Sequence, residues 1–455
     1  MLIFSLNNSF ADNLTDSSIQ ALTLKNAVIT AQKNDPWLIG NKHSQDAVES
    51  LSIAAGTLPD PKINIGLINI AADTFDFKQE NMTNLRVGIS QMIPRGDTLN
   101  LRKKQLKLFG SQFPFQRENR KAQITVKTAK LWLEAFKAQE SIALIENDRS
   151  LFEQLADVAQ ASYSSALGKT RQQDLVRAQL ELTRLDDRLA KLRQKQDMTK
   201  EKLSKFLSQY QGGDSLGNIK DYSVLTFSKK IPDINMLQKD LFYSTTDVNA
   251  QSLYQYFINH PAVKAIDQKI KSSKSGIELA KQKYKPEWGV SANYGFRDAN
   301  PLGVNRSDFF SVGITFDLPL FTSNKQDKQV KSAVSKTSAI KTERWLLIRN
   351  FISSFESIRA QLIRLVERKN LYKDKLLPQM HEQAEASLTA YTNDDGDFAE
   401  VVRARIAELN ANIDYLDINV EIQKSIVQLN YYFSNNANDI IVENQSASTS
   451  LGERK

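Results

Sequence analysis

The sequence predicts an α+β fold in which two long helical hairpins accompany four amphipathic β-strands. Three observations predict this fold. Proline and glycine residues recur at a constant offset, four segments alternate apolar and polar residues, and two segments carry apolar residues at heptad spacing. Together these patterns describe one structural unit that the chain contains twice.

The repeat is visible in prolines and glycines, which commonly begin or end helices and strands. Four pairs lie 225 positions apart, namely Pro36 and Pro261, Pro61 and Pro286, Pro94 and Pro319, and Gly88 and Gly313. The chain has only 11 prolines, so three proline pairs at one offset argue against coincidence. We therefore predict an internal twofold repeat with units at 12–210 and 251–433, a connector at 211–250 and a C-terminal tail at 434–455.

Each unit is predicted to contain a helix, two strands and a helical hairpin. The opening helix begins at an Asn-x-Pro signal, because proline fits the first turn of a helix. The strands are expected at 62–70, 83–93, 287–297 and 308–318, and the hairpins at 97–208 and 322–433. A helix from 97 to 162 would be roughly 100 Å long, and we expect Pro114 to kink it.

Apolar residues occupy one face of each predicted strand. On the clearest three strands they are Leu85, Val87, Ile89, Trp288, Val290, Tyr294, Phe296, Phe310, Val312, Ile314 and Phe316. Glycine, serine, asparagine and threonine alternate with them. About ten residues is the length that a tilted strand needs to cross a bilayer. The pattern therefore predicts that the apolar face contacts lipid and that the polar face lines an aqueous lumen.

Four strands are too few to close a barrel, and open strand edges are too costly in lipid. Two copies of the chain would supply eight strands, whose interior is filled by side chains. Three copies would supply twelve strands and leave room for a channel. The sequence thus predicts an α+β membrane protein in which at least three copies close a transmembrane β-barrel, continued by long helices whose heptad rows need partners.

Composition argues against several other functions. There is no cysteine, so the chain has no thiol nucleophile and no thiolate metal site. The three histidines, His43, His260 and His381, lack a second ligand at helical spacing, and we expect His260 to cap a helix or lie at the surface. No catalytic residue, cofactor or bound metal is predicted. The net charge of +8 is spread among interleaved acids, so a nucleic-acid partner is not expected either.

The N-terminus resembles the end of a secretory signal peptide. Residues 1–11 hold a short apolar run followed by Ser9-Phe10-Ala11, a small-residue pattern like that before a cleavage site. We interpret 1–11 as a signal-peptide remnant and expect the mature chain to start near Asp12. The alternative is a mature N-terminus that is slightly hydrophobic.

Over nearly its whole length the chain resembles the TolC-type outer-membrane efflux proteins. The resemblance rests on the duplicated Asn-x-Pro helix starts, on the passages 88–94 and 313–319 from strand to helix, and on the hairpin turns at 163–178 and 391–404. It implies a homotrimer in the outer membrane with a 12-stranded transmembrane β-barrel, a periplasmic α-barrel of helical hairpins and an equatorial region at the connector. It also implies docking to a periplasmic membrane-fusion adaptor that serves an inner-membrane pump.

The resemblance assigns roles to residues in the two hairpin turns. Leu167, Gly168, Lys169, Thr170 and Gly396 would lie at the periplasmic tip and contact the adaptor. Asp394, Asp395 and Asp397, repeated three times, would form an acidic ring at the entrance. Glycine suits a sharp reversal because it tolerates positive φ. The alternative is that these glycines serve only the turn, and that the acids only favour turns and helix starts.

The hairpin turns are most similar to those of the heavy-metal efflux branch, in Gln173-Asp174-Leu175 and Asp397-Phe398. This similarity implies a passive duct that exports small toxic compounds or metal ions with a resistance–nodulation–division pump. Two other functions stay open: a type I secretion duct for polypeptides, and a soluble coiled-coil scaffold or adaptor. The scaffold explains the heptads but leaves four strands of membrane-spanning length without a purpose.

Overall fold

A computed structural model describes residues 21–164, 172–209, 225–243, 250–393, 396–434 and 436–442. The chain divides into two compact units. Unit 1 comprises Met1–Leu38, Glu118–His260 and Asn350–Lys455, and unit 2 comprises Ile39–Arg117 and Pro261–Arg349. Each unit draws on both halves of the sequence, as expected when the chain passes through the same region twice.

Helices and one β-sheet make up the regular structure of the described residues. The helices are α1 Leu24–Asn34, α2 Pro36–Ala54, α3 Thr98–Gly110, α4 Phe113–Ser164, α5 Gln172–Leu207, α6 Lys239–Tyr243, α7 Ala250–Phe257, α8 Pro261–Lys281, α9 Gln326–Leu371, α10 Leu377–Thr392 and α11 Phe398–Phe433. The strands are β1 Lys62–Ile68, β2 Asn84–Ile93, β3 Trp288–Phe296 and β4 Phe309–Phe316. Within the described ranges, no helix has both the length and the hydrophobicity needed to span a membrane.

The sheet belongs to unit 2 and is fully antiparallel, in the order β1-β2-β3-β4. Each strand lies inside the segment that the alternation predicts. β1 ends at Ile68, where the alternation also ends, and the next residue, Asn69, has a φ of 57°. The order helix–strand–strand–helix occurs twice along the chain, while the internal duplication itself stays a prediction.

The first long helix is interrupted rather than kinked. α3 ends at Gly110 and α4 begins at Phe113, and the amide of Ser111 bonds to the carbonyl of Lys107 at 3.1 Å. Pro114 therefore lies in the first turn of α4, where its missing N–H has no helical partner to lose. The single helix predicted from residue 97 is wrong for this reason.

The heptad rows form the core between the helices of unit 1. Ala178, Leu185 and Leu189 of α5 and Val402 and Leu409 of α11 are buried in one hydrophobic cluster. Phe152 and Leu155 of α4 belong to the same cluster. The apolar residues at heptad spacing on α5 and α11 thus belong to the contact surface of three long helices. This contact explains their spacing of three and four residues.

The described residues of the connector and of the tail belong to unit 1 and pack against its long helices. Phe227 is buried against Trp132, with ring centroids 5.8 Å apart. Asn430 of α11 is fully buried, and its Nδ2 donates to the carbonyls of Asn235 at 2.8 Å and Ile440 at 2.9 Å. Its Oδ1 accepts from the amide of Leu237. One side chain therefore holds both segments, because a buried amide must satisfy its donors and acceptor.

Candidate functional site

One face of the sheet is apolar and exposed to its surroundings. Pairing between the strands places apolar residues side by side. Val87 pairs with Ile65 on β1 and with Tyr294 on β3, and Tyr294 pairs with Phe310 on β4. We call this the apolar sheet face, and it consists of Ile63, Ile65, Leu67, Leu85, Val87, Ile89, Ile93, Trp288, Val290, Tyr294, Phe296, Phe310, Val312, Ile314 and Phe316. All the strand residues predicted for this face lie on it.

These side chains are far more exposed than core residues of the same types. Their exposed fractions run from 38% at Leu85 to 73% at Ile65. A continuous apolar surface of this kind is rare on soluble monomers and marks a contact with lipid or protein. The predicted site residues did not include Ile63, Ile65, Leu67 and Ile93, although the alternation in β1 and β2 was a signal for them.

The opposite face of the sheet is built mostly from glycine and small polar residues, together with Arg86 and Met92. Gly88 lies opposite Asn293, and a Cβ at Gly88 would come 2.2 Å from Asn293 Oδ1. A Cβ at Gly289 would come 2.5 Å from Thr315 Oγ1. Each glycine therefore leaves room for a polar side chain of the next strand to lie across the backbone. The result is a thin, hydrogen-bonding surface that can face water.

The outer edges of β1 and β4 have no strand partner among the described residues. An unpaired edge exposes a row of N–H and C=O groups and invites pairing with another strand. β1 contains no proline, and no charged residue lies between its two ends. Neither of these features therefore blocks pairing at its edge. The sheet is thus incomplete on both sides.

The end of the sheet nearest Pro94 is held by polar contacts that the sequence analysis missed. Arg95 donates to Asp317 and to the carbonyl of Lys285, the latter at 3.0 Å. The amide of Glu287 donates to Asp317 Oδ1 at 2.7 Å. These residues lie just after β2, before β3 and after β4, so they tie three strand ends together. An arginine directly after the strand-ending proline was the available signal.

In the second hairpin turn, Asp397 caps a helix. Its Oδ1 accepts from the amide of Ala399 at 3.1 Å, at the start of α11. A Cβ at Gly396 would come 2.6 Å from the amide nitrogen of Tyr391. This close approach of backbone favours glycine at the position, and the predicted role of Gly396 in the turn stays a prediction. Leu167, Gly168, Lys169, Thr170, Asp394 and Asp395 lie outside the described residues.

Unit 1 contains a cluster of ion pairs between α4 and α11. Lys424 donates to Glu134 and, at 2.7 Å, to Glu421. Lys137 lies 2.6 Å from Asp417. Burial, reinforced by the charge of Lys130, lowers the pKa of Lys424 to about 8, and burial raises the pKa of the Glu421 carboxyl. The cluster joins two helices through charges that are partly removed from water.

Two of the three histidines, His260 and His381, have identifiable partners in the described part of the chain. His260 is buried, with Nε2 3.0 Å from the carbonyl of Tyr431 and its ring against Phe351. The predicted surface role of His260 is therefore wrong, because aromatic residues enclose this helix start. His381 Nδ1 lies 2.7 Å from Glu408. Among described residues, no group of three or more His, Cys, Asp or Glu side chains could hold a metal ion.

Solved outer-membrane channels have the same fold. The outer-membrane channel OprN matches with a TM-score of 0.71 and 12% identity, over 91% of this chain and 90% of that one. The CmeC outer membrane channel of Campylobacter jejuni matches with a TM-score of 0.70 and 12% identity, over 96% and 94%. The open state of the MtrE outer membrane channel of Neisseria gonorrhoeae matches with a TM-score of 0.68 and 13% identity, over 95% and 96%.

No protein-family model matches the sequence, and no curated protein matches it in a sequence comparison. At 12–13% identity, the structural similarities establish the fold. They confirm the predicted resemblance to the TolC-type outer-membrane efflux proteins at the level of the fold.

Proposed function

We propose that the protein is an outer-membrane exit duct of a tripartite efflux system. It acts as a passive homotrimeric channel that carries cargo from the periplasm to the exterior and has no enzymatic activity of its own. The observation that carries this proposal is the apolar sheet face, exposed on one side and backed by glycine and small polar residues on the other. The fold shared with outer-membrane channels supports the same function.

The proposed trimer follows from the sheet. The apolar sheet face would contact lipid, and the edge of β1 would pair with β4 of a neighbouring copy. Three copies give twelve strands, which removes every open edge and leaves an interior wider than an eight-stranded barrel allows. The polar face of each sheet would then line the lumen.

The proposed partners are a periplasmic membrane-fusion adaptor and an inner-membrane pump of the resistance–nodulation–division type. The hairpin turns that contain Gly396 and residues 167–170 would contact the adaptor. Asp397 would contribute to an entrance ring together with residues 394 and 395. The proposed cargo is small toxic compounds or metal ions, on the basis of the similarity of the hairpin turns to the heavy-metal branch.

Envelope fractionation and mass measurement test the proposal. The full chain is expressed in a Gram-negative host, extracted from the outer-membrane fraction in detergent, and sized by light scattering with the detergent contribution removed. Three chains of 51.5 kDa give an expected mass of about 155 kDa. A monomer or dimer released with the periplasmic fraction would refute the duct and favour the soluble scaffold.

A further inference from the structure

The polar face of the sheet in unit 2 carries one charge between the ends of its strands. Across β1 to β4, Arg86 on β2 is the only charged residue that is neither the first nor the last of its strand, and none of the four strands contains an aspartate or a glutamate. The other charged residue of the strands, Lys62, begins β1 and follows Asp60 by two positions. Arg86 is thus a positive charge with no acid on the same strands.

The neighbours of Arg86 leave its side chain free to extend away from the sheet. Arg86 pairs with Gly66 on β1 and with Gly295 on β3, so neither neighbouring strand has a side chain beside it. Gly295 pairs in turn with Phe309 on β4. Arg86 is exposed and forms no ion pair with any described carboxylate. Its guanidinium is therefore the only polar side chain in this row, and its charge is not neutralised there.

The loops beyond the nearer end of the sheet carry charges of both signs. Asp298 forms an ion pair with Lys78 at 3.7 Å, and Asp308 accepts from the amide of Arg297 at 2.8 Å. The remaining acids of these two loops are Asp73, Asp76 and Glu80. All of these acids lie outside the strands, and salt at physiological concentration screens exposed charges over about 8 Å. The charge between the strand ends therefore has the sign of Arg86.

Symmetry would multiply this charge. In the proposed trimer the polar face lines the lumen, so Arg86 occurs three times at one level of the barrel. An arginine keeps its charge at every physiological pH. Rings of arginine or lysine favour anions in channels, and a low-dielectric wall concentrates the field of such a ring in the aqueous space.

We infer that Arg86 makes the barrel a charge filter that favours anionic cargo. The inference rests on the proposed function and narrows its cargo: small organic anions and oxyanions pass the ring of Arg86 more readily than organic cations or bare metal ions. Arg86 acts on the passing solute through its charge and does not hold it, because glycines flank it and no second polar side chain lies in its row.

The reactivity of an introduced thiol in the full chain tests the inference. The chain has no cysteine, so Ser311→Cys places one thiol on the polar face. Ser311 pairs with Asn293, and Asn293 pairs with Gly88, two residues along β2 from Arg86. The reconstituted channel is treated with methanethiosulfonates that carry a sulfonate, a trimethylammonium or a hydroxyl group. The ratio of the sulfonate rate to the trimethylammonium rate, divided by the same ratio for 2-mercaptoethanol, reports the local potential.

We expect this ratio to exceed one at 0.1 M salt, and Arg86→Gln to lower it about fourfold. Three unit charges acting across roughly 10 Å of salt solution change the local concentration of each reagent about twofold, in opposite directions. Arg86→Lys retains the ratio, and 1 M salt removes most of the difference. Lys104→Gln, which removes an exposed cation of α3 outside the sheet, is the control and leaves the ratio unchanged.

A ratio of one or less in the wild type overturns the inference, and so do equal ratios in the wild type and in Arg86→Gln. The neutral reagent distinguishes these results from failure of the proposed function. If the neutral reagent does not reach the thiol, the polar face does not line a water-filled lumen, and both proposals fail. The reporter on the sheet belongs to unit 2, so it does not sense Asp397, the proposed entrance residue of unit 1.

Discussion

At the scale of single residues, Gly396 and Gly40 differ in the space available for a side chain. A Cβ at Gly396 would come 2.6 Å from the backbone nitrogen of Tyr391, whereas a Cβ at Gly40 would meet nothing within 4 Å. We expect Gly396→Ala to lower the free energy of unfolding by about 1–3 kcal/mol, because backbone must move. Gly40→Ala, inside α2, is expected to raise it by about 0.5–1 kcal/mol.

Chemical unfolding in detergent, followed by tryptophan fluorescence, measures both changes. Equal effects of the two substitutions would show that the close approach at Gly396 does not constrain the turn. The comparison also separates a structural glycine from an adaptor contact, because Gly40→Ala leaves the turn untouched. A loss of efflux in Gly396→Ala without a loss of stability would favour the adaptor contact.

Lys424 makes stability depend on pH. Its pKa is about 8 in the folded protein, below the ordinary lysine value of 10.5, because of burial and of the nearby charge of Lys130. Between these values the unfolded chain binds one more proton than the folded chain, so the free energy of unfolding rises as pH increases through this window. Below pH 8 both states carry the proton and this contribution is constant.

The measurement is the free energy of unfolding from pH 7 to pH 10.5 in wild type and in Lys424→Met. We expect the wild type to gain stability over this range relative to the variant. Lys202→Met, which removes an exposed lysine of α5, serves as the control and retains the wild-type slope. Parallel curves for wild type and Lys424→Met would contradict the prediction.

At the scale of secondary-structure elements, the two faces of β4 are expected to respond differently to charge. Val312 and Ile314 lie on the apolar sheet face, whereas Ser311 lies on the polar face opposite Asn293. An arginine facing lipid near mid-bilayer costs about 2–4 kcal/mol per site, and the proposed trimer repeats it three times. Val312→Arg or Ile314→Arg is therefore expected to prevent assembly in the membrane, while Ser311→Arg is tolerated.

Yield of the complex in the outer-membrane fraction, compared at equal expression, checks this prediction. Normal yield from both apolar-face variants would mean that the face does not contact lipid. A low yield of the Ser311→Arg complex as well would mean that β4 tolerates no arginine on either face. The assignment of the two faces would then have no support.

The strands could be predicted closely because a strand with one apolar and one polar face alternates apolar and polar residues along the sequence. Trp288, Val290 and Phe316 were assigned to one face on this ground, and pairing places them there. The break between α3 and α4 was not predicted, because Pro114 reads equally well as a kink or as the first turn of a new helix. The burial of Phe227 and Ile234 could not be predicted, because both residues lie in a polar connector. Their contacts with α4 and α11 are distant in sequence.

At the scale of the whole molecule, the open edges of the sheet predict how copies join. The chain has no cysteine, so introduced cysteines report pairing without background. We expect the variant with Ile65→Cys on β1 and Ile314→Cys on β4 to form covalent dimers and trimers with a flexible bismaleimide. The control, Val87→Cys with Val290→Cys, places both thiols on strands that already have two partners within the chain.

Denaturing gel electrophoresis of treated membranes resolves the products. A ladder that stops at three chains is expected for the edge pair and a single monomer band for the control. A monomer band from both variants would mean that β1 and β4 do not meet between copies. A ladder beyond three would indicate a larger ring.

The two unpaired edges also determine how a defective copy of the gene acts in a cell that carries an intact copy. In the proposed trimer each subunit pairs its two open edges with both neighbours, so one chain that cannot pair leaves the barrel open. In a cell that makes equal amounts of sound and defective chains, random mixing in threes leaves roughly one duct in eight free of the defect. A single damaged allele that still associates would therefore be dominant over an intact one.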